Sequence, residues 1–138
     1  GELQHVRILG PARSATPIEL AQTACRNIGI KAPVRSSGDT KGTPGVTLRG
    51  PNGTLTVPEG VMIADRHIHM TPAQAAAFGL ADGDRVKVKI DGPKPGVMGG
   101  VLIRANDKCA LDFHIDTDDG NAFLLKQGQL VTVLGKEE

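Results

Sequence analysis

Apolar and polar residues follow two different periods along this chain. In "DGDRVKVKI" (82–90) they alternate strictly, which predicts a strand with Val86, Val88 and Ile90 facing a core and Arg85, Lys87 and Lys89 facing solvent. "HVRILG" (5–10) alternates in the same way and also predicts a strand. The period changes in "TPIELAQTACRNIGI", where Ile18, Leu20, Ala21, Ala24, Cys25 and Ile28 form one face of a helix spanning 16–28. Thr16 as N-cap, Pro17 at N1 and Glu19 at N3 make a capping box, and Gly29 ends the helix. "VTLRGPNGTLTV" (46–57) predicts a hairpin turning at Asn52-Gly53, after a loop or short strand over 31–45. "GVMIADRHIHM" (60–70) predicts a strand, and 71–80 a short helix with Thr71 as cap and Pro72 at N1. Further strands are expected at 97–106, 109–115 and 129–134, with a short helix inside 116–125.

Composition sharpens this picture. Eighteen Gly and nine Pro supply the turns that many short strands require. With three Phe and neither Trp nor Tyr, the core must be built from aliphatic residues and Met. The 138 residues suffice for one domain or two small ones. The fold class expected is mainly β. A net charge of +1, with few aromatic stacking platforms, argues against nucleic acid as a partner. No stretch reaches the ~18 apolar residues that suggest a membrane-spanning helix, and a cytoplasmic protein with reduced thiols at Cys25 and Cys109 is expected.

The four histidines carry the chemistry. Residues i and i+2 of a strand project from one face, so His67 and His69 can converge on one object while Ile68 points into the core. His114, on another apolar strand just before a helix cap, is the natural third partner. Three imidazoles with an open fourth position is the donor set of a catalytic zinc. Asp65, Asp112, Asp116, Asp118 and Asp119 are available as acceptors for the imidazole N–H groups. The bland alternative is a polar strand edge with a satisfied core histidine. His5 reads as structural or exposed. Cys109 is placed in an apolar strand with no base nearby.

"GVMIADRHIHMTPAQAAAFGLADGDRVKV" and "FHIDTDDGNAF" resemble the phosphate propanoyltransferase family, the metal-dependent phosphotransacylases of bacterial microcompartments. "VRILGPARSATPIEL" and "VRSSGD" extend the resemblance, in order, over nearly the whole chain. It implies a pair of small β-barrels capped by short α-helices: 1–60 as the remainder of a first barrel with helix 16–28, and 61–138 as a second barrel bearing the HxH. It implies reversible transfer of an acyl group, propanoyl by family expectation, between coenzyme A and inorganic phosphate. It also implies two zinc ions. His67, His69 and His114 would ligate one, Glu19 would help ligate the second, and Arg13 would bind phosphate. Arg66 is a weaker candidate for the phosphates of coenzyme A. From spacing alone Glu19 serves the helix cap, and Arg13 reads equally as a solvated loop residue.

Two departures stand out. The family's N-terminal HxH is missing, so a fragment is expected, working as a homo-oligomer or with a complementing N-terminal piece in a microcompartment lumen. Asp112 stands where Glu is expected. With no Ser or Cys beside the histidines in sequence, direct transfer without an acyl-enzyme is expected. Two rivals remain: a zinc-dependent thioester hydrolase, and a non-catalytic metal-binding microcompartment module.

Overall fold

The computed structural model describes residues 1–138, and they form two units, Gly1–Ala64 and Asp65–Glu138. Strands predominate over helices, as the sequence predicts.

The first unit contains β1 (Ile18–Glu19), α1 (Gln22–Ile28), β2 (Val34–Arg35), β3 (Val46–Gly50), β4 (Gly53–Val57) and β5 (Val61–Ala64). β5 is central, with β1 and β2 parallel to it on either side. A strand flanked in this way reads as a continuous apolar run, and Val61 and Met62 are fully buried. β3 and β4 pair in the expected hairpin from Val46↔Val57 to Gly50↔Gly53, but its loop is Pro51-Asn52 and Gly53 already belongs to β4.

Two sequence expectations fail in this unit. The segment 5–10 is not a strand; it has no ladder partner, and Ile8 and Leu9 are exposed. Alternation describes a two-faced segment, but only a neighbouring edge makes it a strand. The capping box at Thr16 is also absent. Ala21 is the N-cap of α1, without a side-chain cap, and Ile18 and Glu19 are extended. The Ile18 N–H donates to Gly60 O at 2.9 Å and the Leu20 N–H to Met62 O at 2.9 Å. The β5 edge thus takes up backbone donors that a helical first turn would have left for Thr16 to cap. The helix terminator is as expected: Gly29 adopts φ 76°, and the Ile30 N–H reaches back to Cys25 O at 3.0 Å.

The run 60–70 is two strands rather than one. β5 ends at Ala64 and β6 (His67–Met70) opens the second unit, with Asp65 and Arg66 between them. Both charged side chains are held within that unit, Asp65 by Arg85 at 2.7 Å and Arg66 by Asp119 at 2.9 Å.

The second unit continues with α2 (Pro72–Ala77), β7 (Arg85–Ile90), β8 (Gly96–Ala105), β9 (Asp112–His114), α3 (Thr117–Ala122) and β10 (Thr132–Lys136). Its sheet runs β10-β7-β8-β6-β9; β6 is parallel to β8 and antiparallel to β9. No ladder joins the end strands β10 and β9. α2 has a complete capping box: the Gln74 N–H donates to Thr71 Oγ1 at 3.2 Å, and the Thr71 N–H to Gln74 Oε1 at 2.9 Å. Alternation on β7 is as predicted, with Val86, Val88 and Ile90 fully buried. With Ile68, Met70, Met98, Val101 and Ile103 they form an aliphatic core, with Phe113 and Phe123 packed against it. The β7–β8 register shifts between Val86 and Val88, opposite Gly99 and Gly100. Gly100 has φ 64°, a left-handed conformation that glycine adopts without a Cβ clash and that suits such a bulge.

Ile103 is fully buried, on the opposite face of β8 from Leu102 and Arg104. Truncation to Ala leaves a cavity in a core with little aromatic bulk to collapse into it. Ile103→Ala is expected to lower the unfolding free energy by ~2–5 kcal/mol. Thr71→Ala is expected to cost ~1 kcal/mol through loss of the cap. Urea denaturation of the two variants checks both values and their order.

Candidate metal centre

The histidine site begins with strand register. β6 lies between β8 and β9, with His67 opposite both Leu102 and His114. His69 stands opposite both Arg104 and Asp112. Residues directly opposed across a ladder project from the same face. One face of this strand trio therefore carries His67, His69, His114, Asp112, Leu102 and Arg104. The other carries Ile68, Ile103 and Phe113, which pack into the core. The apolar residues between the histidines anchor the three strands and leave the imidazoles together.

The structure brings the three predicted histidines into one cluster. Their candidate ligand atoms lie within 4.8 Å of one another. Ring centroids are 4.7 Å apart for His67 and His69, 5.1 Å for His67 and His114, and 4.8 Å for His69 and His114. The rings stand edge to face, so their faces do not stack.

Hydrogen bonds set the tautomers. His67 is buried, and its Nδ1 donates to the Asp65 backbone carbonyl at 2.7 Å, leaving the lone pair on Nε2. That Nε2 is 3.2 Å from His69 Nε2. Two nitrogens bound tetrahedrally to one zinc at ~2.0–2.1 Å stand ~3.3 Å apart, so this pair has the spacing that shared ligation requires. His69 Nδ1 lies 3.3 Å from Cys109 Sγ. His114 Nε2 donates to Asp112 Oδ2 at 3.0 Å, which leaves its lone pair on Nδ1. Each ring thus has one nitrogen against an outer partner, the arrangement that orients metal-binding imidazoles. The donor set fits a divalent ion such as zinc.

Burial is the main reason that His69 is held neutral, its pKa lowered to about 4. Repulsion from His67, His114 and Arg104 adds to this, and Asp112 partly opposes it. The crowding of the three imidazoles thus helps to keep the His69 lone pair available at neutral pH.

The aspartates divide their roles in a way that spacing did not reveal. Asp65 serves His67 through its backbone carbonyl, and Asp112 serves His114 through its carboxylate. Asp116 caps α3, accepting from the Asp119 N–H at 2.8 Å. Asp119 is raised above the usual carboxylate range by burial, against the pull of Arg66. Arg66 donates to both Asp119 oxygens, from Nε at 3.1 Å and Nη2 at 2.9 Å, and to Gly99 O from Nη1 at 3.1 Å. Its fork is therefore largely occupied within the protein. Cys109 departs from expectation: it precedes β9, closes a turn on Asn106 O, and has His69 as a neighbour. Sequence separation conceals that contact, because the histidine is forty positions away.

Glu19 and Arg13 belong to the first unit. Glu19 lies on β1 and accepts a hydrogen bond from Ser37 Oγ. It is not the N3 residue of a capping box. Arg13 is exposed, and a Cβ added to Gly38 would stand 3.2 Å from its Nη1, so the guanidinium lies against the 36–39 turn. Ser37 and Gly38 come from the "VRSSGD" segment, where sequence reading singled out no functional residue. His5 is exposed and lies outside the cluster, as expected.

A family model described as phosphate propanoyltransferase matches residues 1–126. The phosphate propanoyltransferase of Thermotoga maritima is 45% identical over 135 residues, covering 97% of this chain and 64% of the relative. That of Shewanella putrefaciens is 46% identical over 135 residues, with 97% and 64% coverage. That of Salmonella typhimurium is 46% identical over 123 residues, with 88% and 59% coverage. The chain thus spans less than two thirds of the length of these relatives.

In the metal-free chain, the depressed His69 is neutral when folded and protonated when unfolded below pH ~6.5. Stability is then fully present above about 6.5 and falls as pH drops towards about 4. Denaturation in EDTA across that window checks the slope, which His69→Gln is expected to flatten. With zinc present, His67→Ala is expected to weaken binding by at least ~100-fold, beyond the 10–100-fold typical of outer-shell losses. Competition with a chromophoric chelator measures it.

Proposed function

The chain belongs to the phosphate propanoyltransferase family, and on that premise we propose that it carries one metal centre of a phosphotransacylase. The reaction is acyl-CoA plus phosphate giving acyl phosphate plus CoA. The observation that carries the reading is the convergence of His67, His69 and His114, whose candidate ligand atoms lie within 4.8 Å of one another.

Attack of a phosphate oxygen on the thioester carbonyl carbon forms a C–O bond and breaks the C–S bond, and CoA leaves as thiolate. A divalent ion on the three imidazoles supplies a Lewis acid for the carbonyl or a partner for the departing sulfur. Zinc suits the donor set, and cobalt is an admissible substitute. The protein's part is to hold the donors still. Asp65 O fixes the His67 ring and Asp112 fixes His114. Arg66 ties the residue before His67 to α3, which starts three residues after His114. For Arg13 we propose phosphate binding through its guanidinium fork. For Glu19 we propose a share in a second metal site. Their support is the match of "GPARSATPIEL" to the family, with Arg13 against the 36–39 turn and Glu19 held by Ser37.

Direct transfer remains the preferred route although Cys109 neighbours His69. A ring that ligates through Nε2 carries its proton on Nδ1, and a protonated nitrogen cannot act as base towards the thiol 3.3 Å away. The pair of small barrels implied by the resemblance belongs to this reading, as do a microcompartment location and a complementing copy or segment. No helix is long and apolar enough to cross a membrane. Propanoyl is the family's acyl group, and one methylene more or less changes binding by only ~1–3 kcal/mol. A thioester hydrolase on the same histidines is the second reading, since the cluster alone would serve water as well as phosphate.

The test is thiol release from propanoyl-CoA, followed with a disulfide reagent in the full-length protein loaded with zinc. Release that depends on phosphate is expected, and His114→Ala is expected to lower it at least ~100-fold, or ~2.7 kcal/mol in the barrier. Release without phosphate would favour the hydrolase, and zinc binding with no release at all would favour a non-catalytic module. Intact-mass analysis after mixing with propanoyl-CoA alone is expected to show no acyl adduct on Cys109.

A further inference from the structure

The second unit contains three arginines, at positions 66, 85 and 104. Two are occupied within the protein. Arg66 holds Asp119 and the Gly99 carbonyl. Arg85 holds Asp65 at 2.7 Å and the Gly100 carbonyl at 2.8 Å. Arg104 is half-buried, and its side chain makes no hydrogen bond and no ion pair. Its place is nevertheless fixed: it stands opposite His69 in the β6–β8 ladder, on the face that carries all three histidines.

A guanidinium beside a metal-binding trio repels the ion unless an anion lies between them. The carboxylate in the same row, Asp112, is on the far side of His69 and accepts from His114 at 3.0 Å. The planar fork of Arg suits the paired oxygens of a phosphate group, and its charge survives at any working pH. We infer that Arg104 binds a substrate phosphate group at the histidine face. This rests on the proposed reading of the site, and it transfers to Arg104 the role in this unit for which the sequence makes Arg66 a weaker candidate. The same chemistry is offered by inorganic phosphate and by the phosphates of coenzyme A.

The experiment is calorimetric titration of the zinc-loaded protein with inorganic phosphate and, separately, with adenosine 3′,5′-bisphosphate. Wild type is compared with Arg104→Gln, Arg104→Lys and a surface control, Lys87→Ala. Arg104→Gln is expected to weaken one of the two anions by about 10-fold or more, the scale of a lost charge-assisted contact. Arg104→Lys is expected to fall between, and Lys87→Ala to match wild type. Melting temperature is expected to stay unchanged in all three, and zinc affinity is expected not to fall in any of them. The anion that weakens identifies the source: phosphate alone points to the nucleophile, the bisphosphate alone to coenzyme A. The inference is overturned if Arg104→Gln binds both anions as tightly as wild type. It is also overturned if wild type binds neither, or if zinc affinity falls in parallel, which would mark Arg104 as merely structural. Absence of zinc binding in wild type would sink the metal reading instead. The same Arg104→Gln comparison on the metal-free protein would then decide Arg104 by itself.

Discussion

The placement of β6 between β8 and β9 is the constraint on which the centre depends. Three strands in this register give one face of imidazoles and charged groups and another of Ile68, Ile103 and Phe113. A slip of one residue would turn Ile68 outward and bury both His67 and His69 in an aliphatic core. The apolar packing that stabilises the unit is therefore also what aims its ligands. A cluster of neutral nitrogens needs such enforcement, because it gains nothing from clustering until an ion joins it.

Around that register the protein adds polar ties. Arg66, just before β6, joins α3 and β8 by gripping Asp119 and Gly99 while its own carbonyl accepts from the Leu102 N–H at 3.0 Å. The bulge at Gly99–Gly100 is held by Arg66 and Arg85 on its carbonyls, and Glu137 accepts from the Gly100 N–H at 2.8 Å. These contacts occupy backbone groups that a regular ladder would have paired. They also explain why two of the unit's arginines are unavailable to a ligand and one is not.

Membership of the phosphate propanoyltransferase family accounts for the order of motifs along the chain. The geometry adds what motifs do not contain: the Nε2 atoms of His67 and His69 face each other, and each ring has its own outer partner. Asp65 acts through its backbone, so any residue at 65 could offer that carbonyl, and a carboxylate there is explained by Arg85 instead. Asp112, shorter than the expected Glu, still reaches His114, which stands two residues away on the same face.

Alternation in "RVKVKI", the Thr71 cap, Gly29 as terminator and the shared face of His67 and His69 were all determined by sequence alone. Each depends on residues within a few positions of one another, where the geometry of one strand or one turn suffices. The tertiary structure decided the rest. It made 18–19 a strand rather than a helical first turn, because the β5 edge took its donors. It split 60–70 at Asp65–Arg66, because Arg85 and Asp119 hold those charges. It brought Cys109 to His69 and Arg104 into the histidine row, pairings set by strand register across many intervening residues. Local periodicity says which way a side chain points along its own strand; only the ladder says what it finds beside it.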